Sequence, residues 1–199
     1  MRVVVRLGVR ALYRVRSRGL EHVPESGAAI LVCNHVSFVD ALVIGGTVRR
    51  PVRFVMHHAI YRLPLLGFVF RAARTIPIAS RAQDPTRYAR AFTEMRAALD
   101  EGDLLCLFPE GGITRSGEIE PFRPGLLRVL ETHPVPVVPM ALSGLWGSRF
   151  SRAAGRGRLG CSRRSSAALE LEIGAPLEGA TLELETLRER VRTLRGPRR

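Results

Sequence analysis

Ala28-Ala29-Ile30-Leu31-Val32-Cys33, followed at once by Asn34-His35-Val36-Ser37-Phe38-Val39-Asp40, is the stretch that decides the fold. The six apolar residues predict a buried strand. Polar residues crowded at the end of such a strand need a reason, because unpaired polar groups are costly to bury. A histidine with an aspartate five positions on forms a dyad if the backbone turns between them. The carboxylate then fixes one imidazole tautomer and leaves the other nitrogen free to take a proton. Ser37 with Asp40 fits a helix-opening capping box, which supplies that turn. A plainer arrangement fits the same residues: Asp40 caps a helix and His35 is an ordinary loop histidine.

Moving outward, 199 residues suit one domain with a sizeable core, and 46% hydrophobic content is that of a globular chain. The formal charge is +13, and all 31 basic residues are arginine. Forked guanidinium contacts suit phosphate, so nucleic acid, an acidic membrane surface or a phosphorylated substrate are the partners this charge admits. Arginine-only usage is equally what a biased genomic base composition produces. Cys33, Cys106 and Cys161 fit no metal or redox spacing. The first two lie in strand-like runs and are expected to be reduced core residues, as in a cytoplasmic protein. No stretch reaches the ~20 apolar residues of a spanning helix. Ala28 to Gly46 comes closest and carries Asn34, His35, Ser37 and Asp40. With no signal-peptide pattern at the start, the expectation is a chain that lies on a membrane without crossing it.

Residues 2–16 alternate arginine with apolar residues, Arg2, Arg6, Arg10 and Arg14 recurring every four positions. That predicts a basic amphipathic helix, suited to an anionic headgroup layer or to packing its apolar side on the domain. We therefore divide the chain into an N-terminal amphipathic helix, 1–20, and a main domain, 21–199. Beyond Asp40 the pattern predicts a helix over 41–48, a strand over 52–56 and loop histidines at His57 and His58 that point apart. It also predicts a short helix over 64–70 and an edge strand at Ile76-Pro77-Ile78, since proline cannot donate to a ladder. Asp84-Pro85 opens a helix that ends at Gly102. A buried strand follows at 104–108, a helix from about Pro124, an apolar strand over 135–142 and a basic loop over 148–166. An alternating strand at 168–173 and a charge-paired helix over 181–194 complete the chain. Strands alternating with helices define an α/β class: a single layered domain with a mixed, mostly parallel sheet flanked by helices.

Two strands thus end in polar turns, Asn34-His35 and Pro109-Glu110-Gly111-Gly112. Ligands in open α/β sheets gather at carboxyl ends of strands. The second turn continues Ile113-Thr114-Arg115-Ser116, whose donors suit an anionic phosphate. At this point the chain resembles the glycerolipid acyltransferases, which include the lysophosphatidate acyltransferases. The resemblance rests on Asn34, His35, Ser37 and Asp40; on Phe108-Pro109-Glu110-Gly111 with Thr114-Arg115-Ser116; and on Val135-Pro136-Val137-Val138-Pro139. It spans most of residues 15–178. Two departures stand out. Gly112-Ile113 is inserted ahead of Thr114. The arginine that ends the family's second motif is either Arg81, our first choice, or Arg74.

The resemblance implies a reaction. His35 would take a proton from the free hydroxyl of a lysophospholipid, and the oxygen would attack the thioester of acyl-CoA or acyl carrier protein. Asp40 would orient His35. Asn34, Ser37, Arg81, Glu110, Gly111, Thr114 and Arg115 would hold the acceptor, Glu110 by receiving a glycerol hydroxyl or fixing an arginine. Leu65, Leu66 and Phe68 would line an acyl groove. No metal and no cofactor beyond the acyl-thioester co-substrate is implied. The expected seat is the inner face of the cell membrane, reached from the cytoplasm, with an anionic membrane surface as partner and no nucleic acid. Two other readings compete: a non-catalytic basic binder of lipid surfaces or nucleic acid, and a thioester or lipid hydrolase using the same dyad. The absence of a Gly-x-Ser-x-Gly elbow counts against a serine hydrolase.

Overall fold

A computed structural model describes residues 13–62, 71, 73–148, 151–152 and 169–197. The apolar run of the opening stretch is strand β2 (Ala29–Cys33), with all five side chains buried. Around it lie β1 (Val15–Arg18), α1 (Asp40–Thr47), β3 (Val52–His57), β4 (Ile76–Ile78) and α2 (Pro85–Asp100). The chain continues through β5 (Leu104–Leu107), α3 (Gly125–Leu130), β6 (Val137–Ser143), β7 (Leu169–Ile173) and α4 (Leu184–Arg195). The strands form one sheet in the order β1-β7-β6-β2-β5-β3-β4. Among them only the β6–β7 pair is antiparallel. Helical crossovers of the kind that parallel neighbours require join β2 to β3, β4 to β5 and β5 to β6.

Alternation along β2 divides the core. Leu31 and Cys33 join Val43 and Ile44 of α1 on one face, whereas Ile30 and Val32 face Phe92, Met95, Leu126 and Val191 from α2, α3 and α4 on the other. Both faces are covered, which is why the central strands read as unbroken apolar runs. β2, β3, β4, β5 and β6 all point the same way, so their carboxyl ends share one edge of the sheet. That edge carries the polar turns.

Local signals were reliable where the chain carries its own punctuation. Asp84 caps α2 by accepting from the Arg87 backbone N–H at 2.8 Å, Pro85 is its first residue, and Gly102 leaves it with φ 76°. β4 is indeed an edge strand, pairing among the described residues with β3 alone. Three expectations need correction or fall elsewhere. Val15 and Arg16, assigned to an amphipathic helix, lie in β1, paired in parallel with Leu169 and Glu170 of β7; a docked sheet edge overrides a helical repeat that ends there. The His57 and His58 rings do not point apart but sit 4.6 Å from each other, because the strand turns into a 3-10 turn between them. The remainder of the N-terminal helix, residues 1–12, lies outside the described residues, as do Leu65, Leu66, Phe68, Cys161 and most of the 148–166 loop.

Candidate active site

β2 ends at Cys33, and the chain would continue straight but for Asp40. The Asp40 carboxylate reaches back over the turn. Its Oδ2 accepts from the Val36 N–H at 2.8 Å, the Ser37 N–H at 2.9 Å and His35 Nδ1 at 2.8 Å. This is the aspartate half of the expected capping box. On the serine side, Ser37 Oγ accepts from the Val39 N–H at 3.4 Å. Asp40 is fully buried, and its Oδ1 has no hydrogen-bond partner among the described residues. An acceptor-only carboxylate on Nδ1 makes that nitrogen the N–H donor, so Nε2 carries the free lone pair. The His35 side chain keeps 20% of its surface exposed. Phe108, at the end of β5, stacks on the imidazole with centroids 4.2 Å apart and planes 19° from parallel. Carboxylate and phenyl ring together leave the base one orientation, with Nε2 toward the sheet edge.

Glu110 fastens the second turn to the first. Its Oε1 accepts from the His35 backbone N–H at 2.7 Å and its Oε2 from the Glu120 N–H at 2.9 Å. Burial raises its carboxyl to about 7, the two backbone N–H groups opposing that rise. The Thr114 N–H donates to His35 O at 2.8 Å, and its hydroxyl donates to Glu118 O at 2.8 Å, closing the loop on itself. Gly111 has φ 73°, a left-handed conformation that favours glycine, and the Arg123 side chain lies over it. From outside, Arg195 of α4 donates to Gly117 O at 2.9 Å and pairs with Glu118 at 2.8 Å, while Arg188 reaches Ile119 O.

The structure brings most of the predicted residues together but gives them unequal roles. Asn34 is fully buried: its Oδ1 accepts from the Leu142 N–H at 2.8 Å and its Nδ2 donates to Leu142 O at 3.0 Å, extending the β2–β6 ladder by a side chain. Asn34, Ser37 and Thr114, expected to hold substrate, have no surface to offer one. Among the described residues Glu110 pairs with no arginine; each of its oxygens accepts a backbone N–H. The inserted Gly112-Ile113 turns Ile113 into the core and leaves Arg115 exposed. Arg74 pairs with Glu101 at 2.8 Å, at the amino ends of β4 and β5 and so at the far edge of the sheet. Arg81 follows the carboxyl end of β4 and shares the edge with His35. Geometry thus favours Arg81. The sequence reading missed Phe108, Arg123 and the α4 arginines. Phe108 read as the last residue of a buried run, and no local pattern signals a clamp closed by a helix more than 60 residues downstream.

The thiols beneath the site are inert. Cys33 and Cys106 are buried and unpaired, and burial pushes both well above the usual thiol range.

A parallel-sheet layered domain with a tautomer-fixed histidine at its carboxyl edge defines a class in which general-base chemistry is housed between strand-end loops. Residues 14–143 match the Acyltransferase family model, and the chain belongs to that family. It is 25% identical over 139 residues to the chloroplastic 1-acyl-sn-glycerol-3-phosphate acyltransferase BAT2 of Brassica napus, covering 69% of this chain and 40% of that one. Identity is 30% over 132 residues with the 1-acyl-sn-glycerol-3-phosphate acyltransferase of Limnanthes douglasii (65% and 45%). It is 29% over 127 residues with the lyso-ornithine lipid O-acyltransferase of Rhodobacter capsulatus (64% and 42%). The chain spans about two fifths of the length of the plant relatives. The crystal structure of the 1-acyl-sn-glycerophosphate acyltransferase PlsC from Thermotoga maritima shares the fold, with a TM-score of 0.72 at 23% identity over 96% of this chain and 74% of that one.

Proposed function

We propose that the chain is an O-acyltransferase that moves a fatty acyl group from an acyl thioester to the free hydroxyl of lysophosphatidate or a related lysophospholipid. His35 Nε2 takes the hydroxyl proton as the oxygen attacks the thioester carbonyl. Collapse of the tetrahedral adduct breaks the C–S bond, and the imidazolium returns its proton to the departing thiolate. Asp40 holds the imidazole in the reactive tautomer and balances its charge in the cationic step. A base so placed contributes on the order of 10²–10⁴-fold. The observation that carries this reading is the 2.8 Å Asp40–His35 contact, with Nε2 free at the strand-end edge.

A phosphate-bearing acceptor is supported by Arg115, Arg123 and Arg81, all exposed along the same edge. Glu110 and Gly111 contribute by shaping the turn under them. Water as acceptor would make the chain a hydrolase, but the arginine rim favours an anionic alcohol. The low aromatic content, 6% of residues, disfavours a polynucleotide, whose single strands need stacking platforms. No helix among the described residues is long and apolar enough to cross a membrane. Peripheral attachment to an anionic cytoplasmic leaflet, aided by Arg2, Arg6 and Arg10, gives the lysolipid a route to the site.

Purified protein incubated with a panel of lysolipids and with both acyl-CoA and acyl carrier protein donors, read by mass spectrometry, tests the assignment. Acylated lysophosphatidate that disappears in His35→Ala is the expected result. Free fatty acid without acylated lipid would make the chain a hydrolase.

A further inference from the structure

His35 must become a cation as it takes the acceptor's proton, and the charges around it pull that step in opposite directions. Asp40 favours the imidazolium, its Oδ2 lying 2.8 Å from Nδ1. Arg115 and Arg123 oppose it. Both are exposed on the turn that Glu110 and Thr114 fasten to His35, through the His35 N–H at 2.7 Å and the His35 carbonyl at 2.8 Å. Arg152, also exposed, stands next to Ser151, which pairs with Ser37. Beneath the site the Cys33 and Cys106 thiols stay neutral, since burial pushes both up. The arginines that suit an anionic acceptor thus work against the base they surround.

Against the face of the imidazole lies no charge but a hydrocarbon ring. Phe108 stacks there with centroids 4.2 Å apart and planes 19° from parallel. Its placement follows from the sheet. β2 and β5 pair in parallel with Leu31 opposite Cys106, and two residues further along each chain stand Cys33 and Phe108. Phe108 packs against the core layer that holds Leu31, Cys33 and Cys106, and so emerges at the strand end beside the His35 turn. The Gly111 N–H donates to the Phe108 carbonyl at 3.0 Å and the Arg123 N–H to that of Pro109 at 2.9 Å, so the ring stands on a fixed backbone. Asp40 already sets the imidazole tautomer, and packing alone asks only for bulk at position 108. A phenyl adds what a leucine lacks: a negative π face, which attracts a cation within ~6 Å of its centroid.

We propose that Phe108 is a positioning residue whose π face stabilises the imidazolium that His35 becomes while the acceptor hydroxyl is deprotonated. The proton passes from the hydroxyl to Nε2 and then to the departing thiolate, and Phe108 neither gains nor loses a bond. The ring favours the charged state without adding a carboxylate, which would repel a phosphorylated acceptor. This rests on the acyltransferase reading above and adds to it a group that acts on the charge of the base. A cation over an aromatic face is favoured by about 2- to 30-fold over one with no ring beneath it.

Site-specific replacement of Phe108 by pentafluorophenylalanine in the full chain tests this, because the ring keeps its shape while its face turns positive. Phe108→Leu removes the π system and keeps the bulk; Phe108→Tyr keeps both. The acid limb of the kcat/KM profile is expected to move to lower pH by ~0.4–1 unit in the pentafluoro and leucine proteins, with kcat about 2- to 30-fold lower and lysolipid KM constant. Phe108→Tyr should stay within about twofold of wild type. NMR titration of the full chain without substrate, followed at the His35 ring, should move by the same amount as the acid limb. A pentafluoro protein with the wild-type profile and the wild-type ring titration overturns the proposal. An effect of leucine alone overturns it too, since Phe108 is then a packing residue. A ring titration that moves as expected in a chain that acylates no lysolipid keeps the stack and removes the acyltransferase reading instead.

Discussion

Near the amino ends of β3, β4 and β5, a largely buried Arg53 and an exposed Arg74 share Glu101 and Asp103, whose carboxylates face water. At the carboxyl ends of β2 and β5 the arrangement is reversed. There Asp40 and Glu110 are buried, and their partners are backbone N–H groups and one imidazole, with no arginine among them. The difference lies in what each carboxylate can be asked to do. A solvated ion pair contributes little and holds no fixed direction. A buried carboxylate bound to backbone amides is expensive to place, but once placed it fixes the atoms around it and keeps its influence undiluted by solvent. The first edge closes the sheet; the second fixes an imidazole.

The hardest test of this contrast is His35→Ala, which should lower acyl transfer by about 10²–10⁴-fold while leaving the thermal midpoint within a few degrees of wild type. Retained activity would show that the buried edge aims nothing. Asp40→Asn comes next, with transfer reduced by about 10²-fold, because an amide cannot both orient Nδ1–H and balance the imidazolium. It should also lose roughly 1–3 kcal/mol in urea unfolding, as the turn keeps its shape but trades a carboxylate for an amide. Glu110→Gln should lower kcat by about tenfold with little change in lysolipid KM, since one of the two backbone N–H groups then faces an NH₂. A rise in KM alone would instead return Glu110 to the role of substrate contact.

Burial raises the Glu110 carboxyl from 4.5 to about 7. Between those values the folded protein binds a proton that the unfolded chain has released, so stability falls as pH rises through the window. Urea melts should show wild type losing about 2–3 kcal/mol relative to Glu110→Gln between pH 4.5 and 8. Parallel curves for the two proteins would mean that the carboxyl is better solvated than its surroundings imply. The smallest effect belongs to the open edge. Arg74→Ala should cost less than about 1 kcal/mol and leave kcat/KM unchanged. A catalytic defect there would make Arg74, not Arg81, the functional arginine.

Much of the molecule was written locally. The β2 run, the Asp84-Pro85 start of α2, the proline-marked edge strand β4 and the pairing of His35 with Asp40 all rest on signals confined to a few adjacent residues. What went astray involved partners distant in sequence. Val15–Arg18, included in the N-terminal helix because arginines recur every fourth residue up to Arg14, instead alternates with a period of two and pairs with β7, some 150 residues on. Asn34 and Thr114 have the chemistry of substrate donors, yet Leu142 and Glu118 claim them. Glu110 looks like a ligand for a hydroxyl and instead ties two strand ends together.

From the sequence by itself follow the α/β class, the layered, mostly parallel sheet and the pairing of His35 with Asp40, because hydrophobic periodicity and short-range turn chemistry act over a few residues and survive in linear order. Only the tertiary structure decided which polar groups are already spent on the backbone, which arginine shares an edge with His35 and which ring lies against its imidazole. Those outcomes depend on strand order and register, which bring together Cys33, Phe108 and Leu142 from three separate stretches, and no property of any one stretch specifies them.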